Sequence, residues 1–181
     1  TIYGTKGMTE DASLQFQRAL ELNNYDVLSL FNLGRLFSEK GEYMSAKDYF
    51  HEAVKGGLIK DGWIITHDPL YLDFDNARIQ IDLAGEKLIA AEQGLEKIAV
   101  EVKSFIGSST IYEFYLAVGQ CLSYRIALKA QQPERKLYLA VPTYTYEEFF
   151  RRPFAKQTIQ ESNINLLVYE PNQEVILQWI S

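Results

Sequence analysis

Hydrophobic residues recur every three to four positions along residues 9–60, a period that predicts three successive helices. Thr9 and Asp26 are suited to cap the first two helices, because their side-chain oxygens can accept a backbone N–H. Ser45 and Asp48 form a start of the capping-box kind for the third. The first third of the chain is therefore predicted to be helical.

Shorter hydrophobic runs replace the helical period after Gly57, and turn residues separate them, which predicts strands. The predicted strands are residues 62–66, 78–82, 88–92, 97–103, 136–141, 166–169 and 175–177. Ser108 and Ser109 are predicted to begin a long helix that ends near Ala130. Its residues predicted to face inward are Ile111, Phe114, Val118, Leu122, Ile126 and Leu128. Shorter helices are predicted over 146–151 and 154–161. The pattern as a whole indicates an α/β or α+β fold.

Charged residues interrupt two of the predicted strands. Asp82 ends the run 78–82, and Glu101 and Lys103 are spaced by two in the run 97–103. Successive side chains of a strand point to opposite faces, so Glu101 and Lys103 share one face. A carboxylate and an ammonium among apolar neighbours are costly to bury unless they are paired or bound to a metal. These residues are therefore the first place to look for chemistry.

An aspartate followed by Glu-x-Lys is also the residue set of a metal-dependent nuclease core. Mg²⁺ or Mn²⁺ prefers carboxylate oxygens, and a bound ion neutralises charge at phosphorus and activates water. Asp82, Glu101 and the Val102 carbonyl are predicted to hold the ion. Glu52, on the helix before the sheet, is predicted as a further metal carboxylate. Lys103 would orient the water or stabilise developing negative charge.

The long helix contributes Gln120 and Tyr124, which lie four residues apart and therefore project from one helical face. We expect this amide and this phenol to contact substrate or a water beside the metal. Each feature also has an ordinary structural explanation when taken alone. A Glu-x-Lys pair is common on exposed edge strands, Asp82 can simply begin a loop, and Glu86 is a rival for the acidic role.

Composition narrows the function classes. The 181 residues are 47% hydrophobic, enough for one domain with a core and a small appendage. A net charge of −6 argues against broad binding of polyanions, although a metal ion and a local basic patch would offset it. The single cysteine, Cys121, excludes an intramolecular disulfide and fits a reducing compartment, and it is expected to pack in the long helix. His51 and His67 lack a ligand partner at recognisable spacing and are interpreted as structural.

Membrane and secretion signals are absent from the pattern. No apolar run approaches the length of a membrane span, and no signal-peptide pattern opens the chain. We therefore expect a cytoplasmic protein without a membrane partner.

The N-terminal segment resembles a tetratricopeptide repeat. The packing positions of that repeat correspond to residues 31–34, 41–43, 46, 49, 50 and 53. The resemblance covers little more than one unit, and a single repeat cannot bury its own face. The segment is therefore expected to pack on the rest of the chain, on further repeats upstream, or on a partner.

Most of the chain, residues 44–179, resembles the XisH family, the fdxN-element excision controlling factors of cyanobacteria. The matching segments are residues 44–51, 53–55, 60–63, 66–70, 81–83, 86–92, 97–105, 119–120, 138–142 and 167–169. The order of a helix acid, a strand aspartate, a strand Glu-x-Lys and a helix Gln-xxx-Tyr also resembles the wider PD-(D/E)xK restriction-endonuclease-like superfamily.

The resemblance implies a fold, a domain boundary and partners. It implies a restriction-endonuclease-like central mixed sheet flanked by helices, with a tetratricopeptide-like helical hairpin before it. The implied domains are 1–43 and 44–181, with the first expected to be a fusion or a misplaced start. The implied role is excision of a DNA element during heterocyst development, together with a site-specific recombinase and an XisI-like protein.

The resemblance also assigns roles to residues, with Mg²⁺ or Mn²⁺ as the cofactor. The positions that correspond to catalytic motifs are Asp82, Glu101, Lys103, Gln120 and Tyr124. One departure concerns the spacer between Asp82 and Glu101, which is long for a simple hairpin. Glu86 therefore remains the alternative first acid.

Two functions stay open from the sequence. The first is a metal-dependent DNA nuclease, or a nuclease-derived factor, expected as a homodimer because cutting two strands needs two sites. The second is a non-catalytic adaptor that binds an XisI-like protein or a recombinase, which the acidic net charge favours. One group of basic residues is the candidate for DNA contact, and we call it the basic strip. The alternative is that these are ordinary solvent-exposed charges scattered over the surface. The members of the strip are Arg125, Lys129, Arg151, Arg152 and Lys156.

Overall fold

Helices and strands alternate through the part of the chain that the structure, a computed structural model, describes: residues 46–90, 94–106 and 109–181. The helices predicted over residues 9–43 lie outside these described residues. Phe50–Ser181 forms one unit, and within the described residues no helix is long and apolar enough to cross a membrane.

Four helices, one π-helical turn and eight strands make up this part. In chain order they are α1 (Ala46–Lys60), β1 (Ile64–His67), β2 (Leu70–Phe74), β3 (Ala77–Ile81), β4 (Leu83–Ala90), β5 (Gly94–Val102), α2 (Thr110–Gln131), β6 (Arg135–Pro142), α3 (Thr143–Thr145), the π-helical turn (Tyr146–Phe150), α4 (Pro153–Glu161), β7 (Asn165–Glu170) and β8 (Val175–Ile180).

Six of the strands form a mixed sheet in the order β1-β4-β5-β6-β7-β8, and β2 with β3 forms a separate hairpin. The central strands β5, β6 and β7 are parallel, while the outer neighbours pair antiparallel. A crossover helix, α2, joins the parallel strands β5 and β6, as parallel pairing requires. The predicted α/β class with a central mixed sheet is thus confirmed.

Helices cover both faces of the sheet. On one face, Phe114 and Cys121 of α2 pack in a cluster with Leu139 of β6. On the other face, the Trp179 ring of β8 lies 4.8 Å from the Tyr138 ring and 5.7 Å from the Trp63 ring, centroid to centroid. The central strands are therefore shielded from water on both sides, which buries any charged side chain placed there.

The central hairpin is longer than the sequence pattern predicts. The prediction begins its first strand at residue 88, whereas β4 begins at Leu83. Leu83 and Ala84 are both fully buried, because each faces a covered side of the sheet. The alternation that marks a half-exposed strand is therefore missing there.

The strand β2 is an element that the prediction missed, although its signal was present. Leu70 and Leu72 are buried while Tyr71 and Asp73 are exposed, which is the period of a half-buried strand. The predicted turn over residues 73–76 is its connection to β3. Asp75 and Asn76 both have positive φ, as a two-residue hairpin turn requires.

The inward face of α2 agrees with the prediction in part. Phe114 and Leu128 are buried as predicted, but Ile126 is 61% exposed. Ala127, next to it, is buried in a cluster with Leu70 and Leu72 of the β2–β3 hairpin. Because the hairpin contacts the helix at Ala127, Ile126 is turned to the outside.

Candidate active site

The pairing of β4 with β5 brings Asp82 next to Glu101. Leu83 pairs with Val100, so the residue before Leu83 and the residue after Val100 are neighbours at the end of this antiparallel hairpin. The backbone N–H of Val102 donates a hydrogen bond of 2.9 Å to Oδ2 of Asp82. The two acids are only 7% and 4% exposed. The residues between Asp82 and Glu101 therefore form two long paired strands, and this pairing brings the two acids together.

Glu86, the alternative first acid, lies four residues further along β4, opposite Lys97 in the register. Its Oε1 is 3.4 Å from Nη2 of Arg135 and 3.9 Å from Nζ of Lys97. The structure thus places Asp82, and not Glu86, beside Glu101. Glu86 belongs to an ion-pair group instead.

Lys103 lies where the acid cluster meets solvent. Its Nζ is 2.8 Å from Oε1 of Glu101, and its side chain is 24% exposed while that of Glu101 is 5% exposed. The Lys103 backbone N–H donates to the carbonyl of Ala140, which holds the residue in the extension of the parallel ladder. The ammonium is therefore held beside a buried carboxylate and can still reach a charged molecule from solvent.

Gln120 and Tyr124 join the same cluster from α2. Nε2 of Gln120 donates a 3.1 Å hydrogen bond to the Tyr124 hydroxyl. Burial raises the pKa of Tyr124 to about 12, and the negative charges of Glu101 and Asp82 add to the rise. The phenol is therefore close to both acids and remains a neutral hydrogen-bond donor near neutral pH.

We expect the Tyr124 phenol to remain protonated between about pH 9 and pH 11, where an ordinary tyrosine ionises. Subtracting the phenolate absorbance of Tyr124→Phe from that of the wild type measures this group alone. Since the folded-state pKa is raised, the neutral phenol stabilises the fold below pH 10, and that contribution is lost between about pH 10 and 12. The same subtraction on denatured protein is the control, and a native midpoint near 10 would contradict the assignment.

Cys121 is buried beneath the acid cluster and packs in the core, as predicted. Burial raises the pKa of its thiol to about 12, and the nearby charge of Glu101 raises it further. A thiol held protonated is a poor nucleophile. Cys121 is therefore a packing residue here.

Glu52, the further acid predicted for the metal, lies in a different group. Among the described residues, the ligand atoms of Glu52, His51 and Asp68 all lie within 4.8 Å of one another, and this group includes neither Asp82 nor Glu101. Of the predicted metal ligands, Asp82, Glu101 and the Val102 carbonyl therefore remain together.

His51 and Asp68 form a link that sequence reasoning missed, since seventeen positions separate them. Oδ1 of Asp68 lies 2.7 Å from Nε2 of His51, and Oδ2 lies 2.8 Å from Nζ of Lys55. Burial acts to raise the pKa of Asp68, but its bonds to Lys55 and His51 outweigh burial and lower it. Both oxygens are used within the protein, so this group fastens α1 to the segment before β2.

Residues of the predicted basic strip line two cavities in the structure. Arg125 and Lys129 line one cavity, and Arg151 and Lys156 line another. Nη1 of Arg125 donates to the carbonyl oxygens of Ser162 and Asn163. Arg151 pairs with Glu147 on its own turn. Arg125 and Arg151 of the predicted strip are therefore engaged by partners inside the protein.

Fold and site together define an α/β protein with a mixed sheet, in which two buried acids, a lysine, a glutamine and a tyrosine meet at the end of a central hairpin. The XisH family model matches residues 44–177. The chain belongs to the XisH family. A tetratricopeptide-repeat model matches residues 15–48, which confirms the resemblance of the N-terminal segment to that repeat. The proposed boundary between residues 43 and 44 stays a prediction.

Two solved structures are similar to this chain. An XisH family protein from Nostoc punctiforme PCC 73102 is 50% identical, with a TM-score of 0.68, and the match covers 74% of this chain and 100% of that one. A protein from Anabaena variabilis, described as an fdxN element excision controlling factor, is 49% identical with the same TM-score, over 74% of this chain and 99% of its own. No protein with a curated description matches the chain.

Proposed function

We propose that this protein is a controlling factor for excision of an fdxN-type DNA element and acts as a Mg²⁺-dependent, nuclease-like DNA-processing protein. The observation that carries the proposal is the meeting of Asp82 and Glu101 at one strand end, with Nζ of Lys103 at 2.8 Å from Glu101. The description of the Anabaena variabilis relative supports the role in excision. The resemblance to the PD-(D/E)xK superfamily supports the chemistry.

The donor set fits a hard divalent cation. Two carboxylates placed side by side repel each other, and an ion between them would remove that repulsion. Mg²⁺ is commonly held by one or two carboxylates and keeps several waters, so Asp82 and Glu101 with the Val102 carbonyl suffice. When bound, Mg²⁺ or Mn²⁺ would polarise a phosphoryl oxygen and ease ionisation of a water.

The neighbouring residues supply the rest of the proposed chemistry. Lys103 would orient the attacking water or offset the negative charge that develops on the phosphoryl group. Tyr124, held as a neutral phenol, can donate a hydrogen bond to a phosphate oxygen without adding negative charge. Gln120 orients that hydroxyl through its 3.1 Å hydrogen bond. Each of these side chains would therefore help to bind or orient an anionic substrate.

We expect the wild-type protein to nick supercoiled plasmid DNA in Mg²⁺ or Mn²⁺ and to stop when EDTA removes the metal. The physical reason is that the two carboxylates alone repel a phosphodiester, whereas the bound ion attracts it. Gel separation of supercoiled and open-circular DNA measures the rate. A rate that does not change with EDTA would contradict the proposal.

A second function, a non-catalytic adaptor, is supported by the net charge of −6 and by the tetratricopeptide-repeat match at residues 15–48. In this alternative the fold binds an XisI-like protein or a site-specific recombinase, and DNA is engaged through that partner. Folded protein that fails to nick DNA but forms a stoichiometric complex with either partner would favour the adaptor. Nicking that requires metal would favour the nuclease.

A further inference from the structure

The outward face of α2 is apolar along most of its length. Four of its large side chains are at least half exposed: Tyr112 at 62%, Tyr115 at 56%, Leu116 at 50% and Ile126 at 61%. Together with three small exposed residues they form what we call the outer stripe: Tyr112, Tyr115, Leu116, Gly119, Ser123, Ile126 and Ala130. The spacing of three and four residues is that of a helix that packs against another helix.

The outer stripe is long and carries no formal charge. From Tyr112 to Ala130 it extends about 27 Å at 1.5 Å per residue. The charged residues of α2, Glu113, Arg125 and Lys129, lie outside the stripe. A contiguous exposed apolar surface of this kind on a soluble domain marks an interaction site.

Gly119 lies in the middle of the stripe, and the contacts within one copy of the protein do not explain why this residue is a glycine. A glycine destabilises a helix interior relative to alanine. A Cβ added at Gly119 would meet no atom within 4 Å, and Gly119 is not among the residues with positive φ. The fold therefore has room for a side chain at this position and does not need glycine. Close approach of a second backbone is the remaining use of a glycine there.

We propose that two copies of this protein pair through the outer stripe, with the two α2 helices antiparallel and a two-fold axis at Gly119. In this register Gly119 meets its own copy, Tyr115 meets Ser123, and Tyr112 meets Ile126. Tyr112 and Tyr115 thus each meet a smaller residue of the second half, while Leu116 falls opposite Leu122, which flanks the stripe. Between Tyr112 and Ile126 the stripe therefore pairs bulky with smaller residues across the axis, as a two-fold interface requires.

Charge permits a second copy as the occupant. Two copies that each carry a net charge of −6 repel one another, so their interface has to be free of like-charge contacts. The outer stripe is such a surface. In a two-fold interface a residue near the axis meets its own copy, so even one charge near Gly119 would oppose pairing. The pairing goes beyond the proposed nuclease activity and does not depend on it.

Sedimentation velocity of the full chain from about 1 to about 100 µM tests the pairing, because an interface of one helix pair is small and should dissociate in this range. We expect the wild type to pass from monomer to dimer. Gly119→Ala should raise the melting temperature of the dilute monomer, because alanine favours a helix, yet weaken the dimer at least tenfold. A merely structural glycine would not give these two opposite effects.

Ile126→Glu should abolish the dimer by burying a charge in the stripe. Leu95→Glu is the matched control, since Leu95 is 55% exposed on β5, outside the stripe, and the change in charge is the same. It should leave the dimer intact. A wild type that stays monomeric overturns the proposal, as does a dimer that survives both Ile126→Glu and Gly119→Ala. Loss of the dimer in Leu95→Glu to the same extent also overturns it.

Discussion

If the protein is a nuclease as proposed, we expect Glu101→Gln to lower the rate of metal-dependent plasmid nicking by about 10²–10³-fold, the loss seen when one charged group that stabilises a transition state is removed. The amide keeps the size of the side chain but removes the negative charge, so one of the two carboxylates proposed to hold the metal would be lost. Lys103→Met is expected to cause a similar loss, because the ammonium 2.8 Å from Glu101 is removed. Initial rates of open-circle formation in Mn²⁺ measure both effects.

Matched controls for these variants lie on the same strand. Glu96→Gln and Lys97→Met make the same chemical changes at residues whose ion pairs are on the surface, with Lys136 and Glu134. Such exposed ion pairs contribute little to the stability of the fold, so the nicking rate of these two variants should stay within about twofold of the wild-type rate. If Glu101→Gln is folded and cleaves as fast as Glu96→Gln, the role of the acid in catalysis is refuted.

Phe114→Ala is expected to lower the free energy of unfolding by about 3–5 kcal/mol, the usual cost of deleting a buried aromatic ring. Phe114 is fully buried, and its ring lies edge-on to those of Phe149 and Phe150 at 5.2 and 5.5 Å. Removal leaves a cavity between α2 and the π-helical turn. Urea unfolding followed by circular dichroism measures the change.

Phe154→Ala removes the same atoms from a ring that is 53% exposed. Because water already contacts half of this ring, the expected loss is at most about 1 kcal/mol. Equal losses in Phe114→Ala and Phe154→Ala would show that burial of Phe114 does not dominate the stability of this region.

Local patterns were sufficient for much of the candidate site. Alternation along β5 predicts that Glu101 and Lys103 share a face, and they form an ion pair there. Helical spacing predicts that Gln120 and Tyr124 project together, and they share a hydrogen bond. Both inferences depend on residues a few positions apart, where backbone geometry alone sets the direction of side chains.

Prediction was less successful where contacts are remote in sequence. Glu52 was grouped with the other acids, yet it lies with His51 and Asp68. Nothing in the local pattern connects Asp68 with His51, because the link forms when the segment before β2 folds back onto α1. Ile126 was predicted to face inward, but the β2–β3 hairpin packs at Ala127 instead.

Within the described residues, the sequence by itself determined most of the segments that become helices and strands, with β2 and the first half of β4 as exceptions, and which nearby side chains share a face, since these depend on a period of 2 or 3.6 residues. The tertiary structure alone decided which distant residues meet. Asp82 reaches Glu101 because two strands pair in the register Leu83 to Val100. Tyr124 reaches both acids because α2 packs over that hairpin. Register and packing follow from burying apolar faces between remote segments, a quantity that no short stretch of sequence contains.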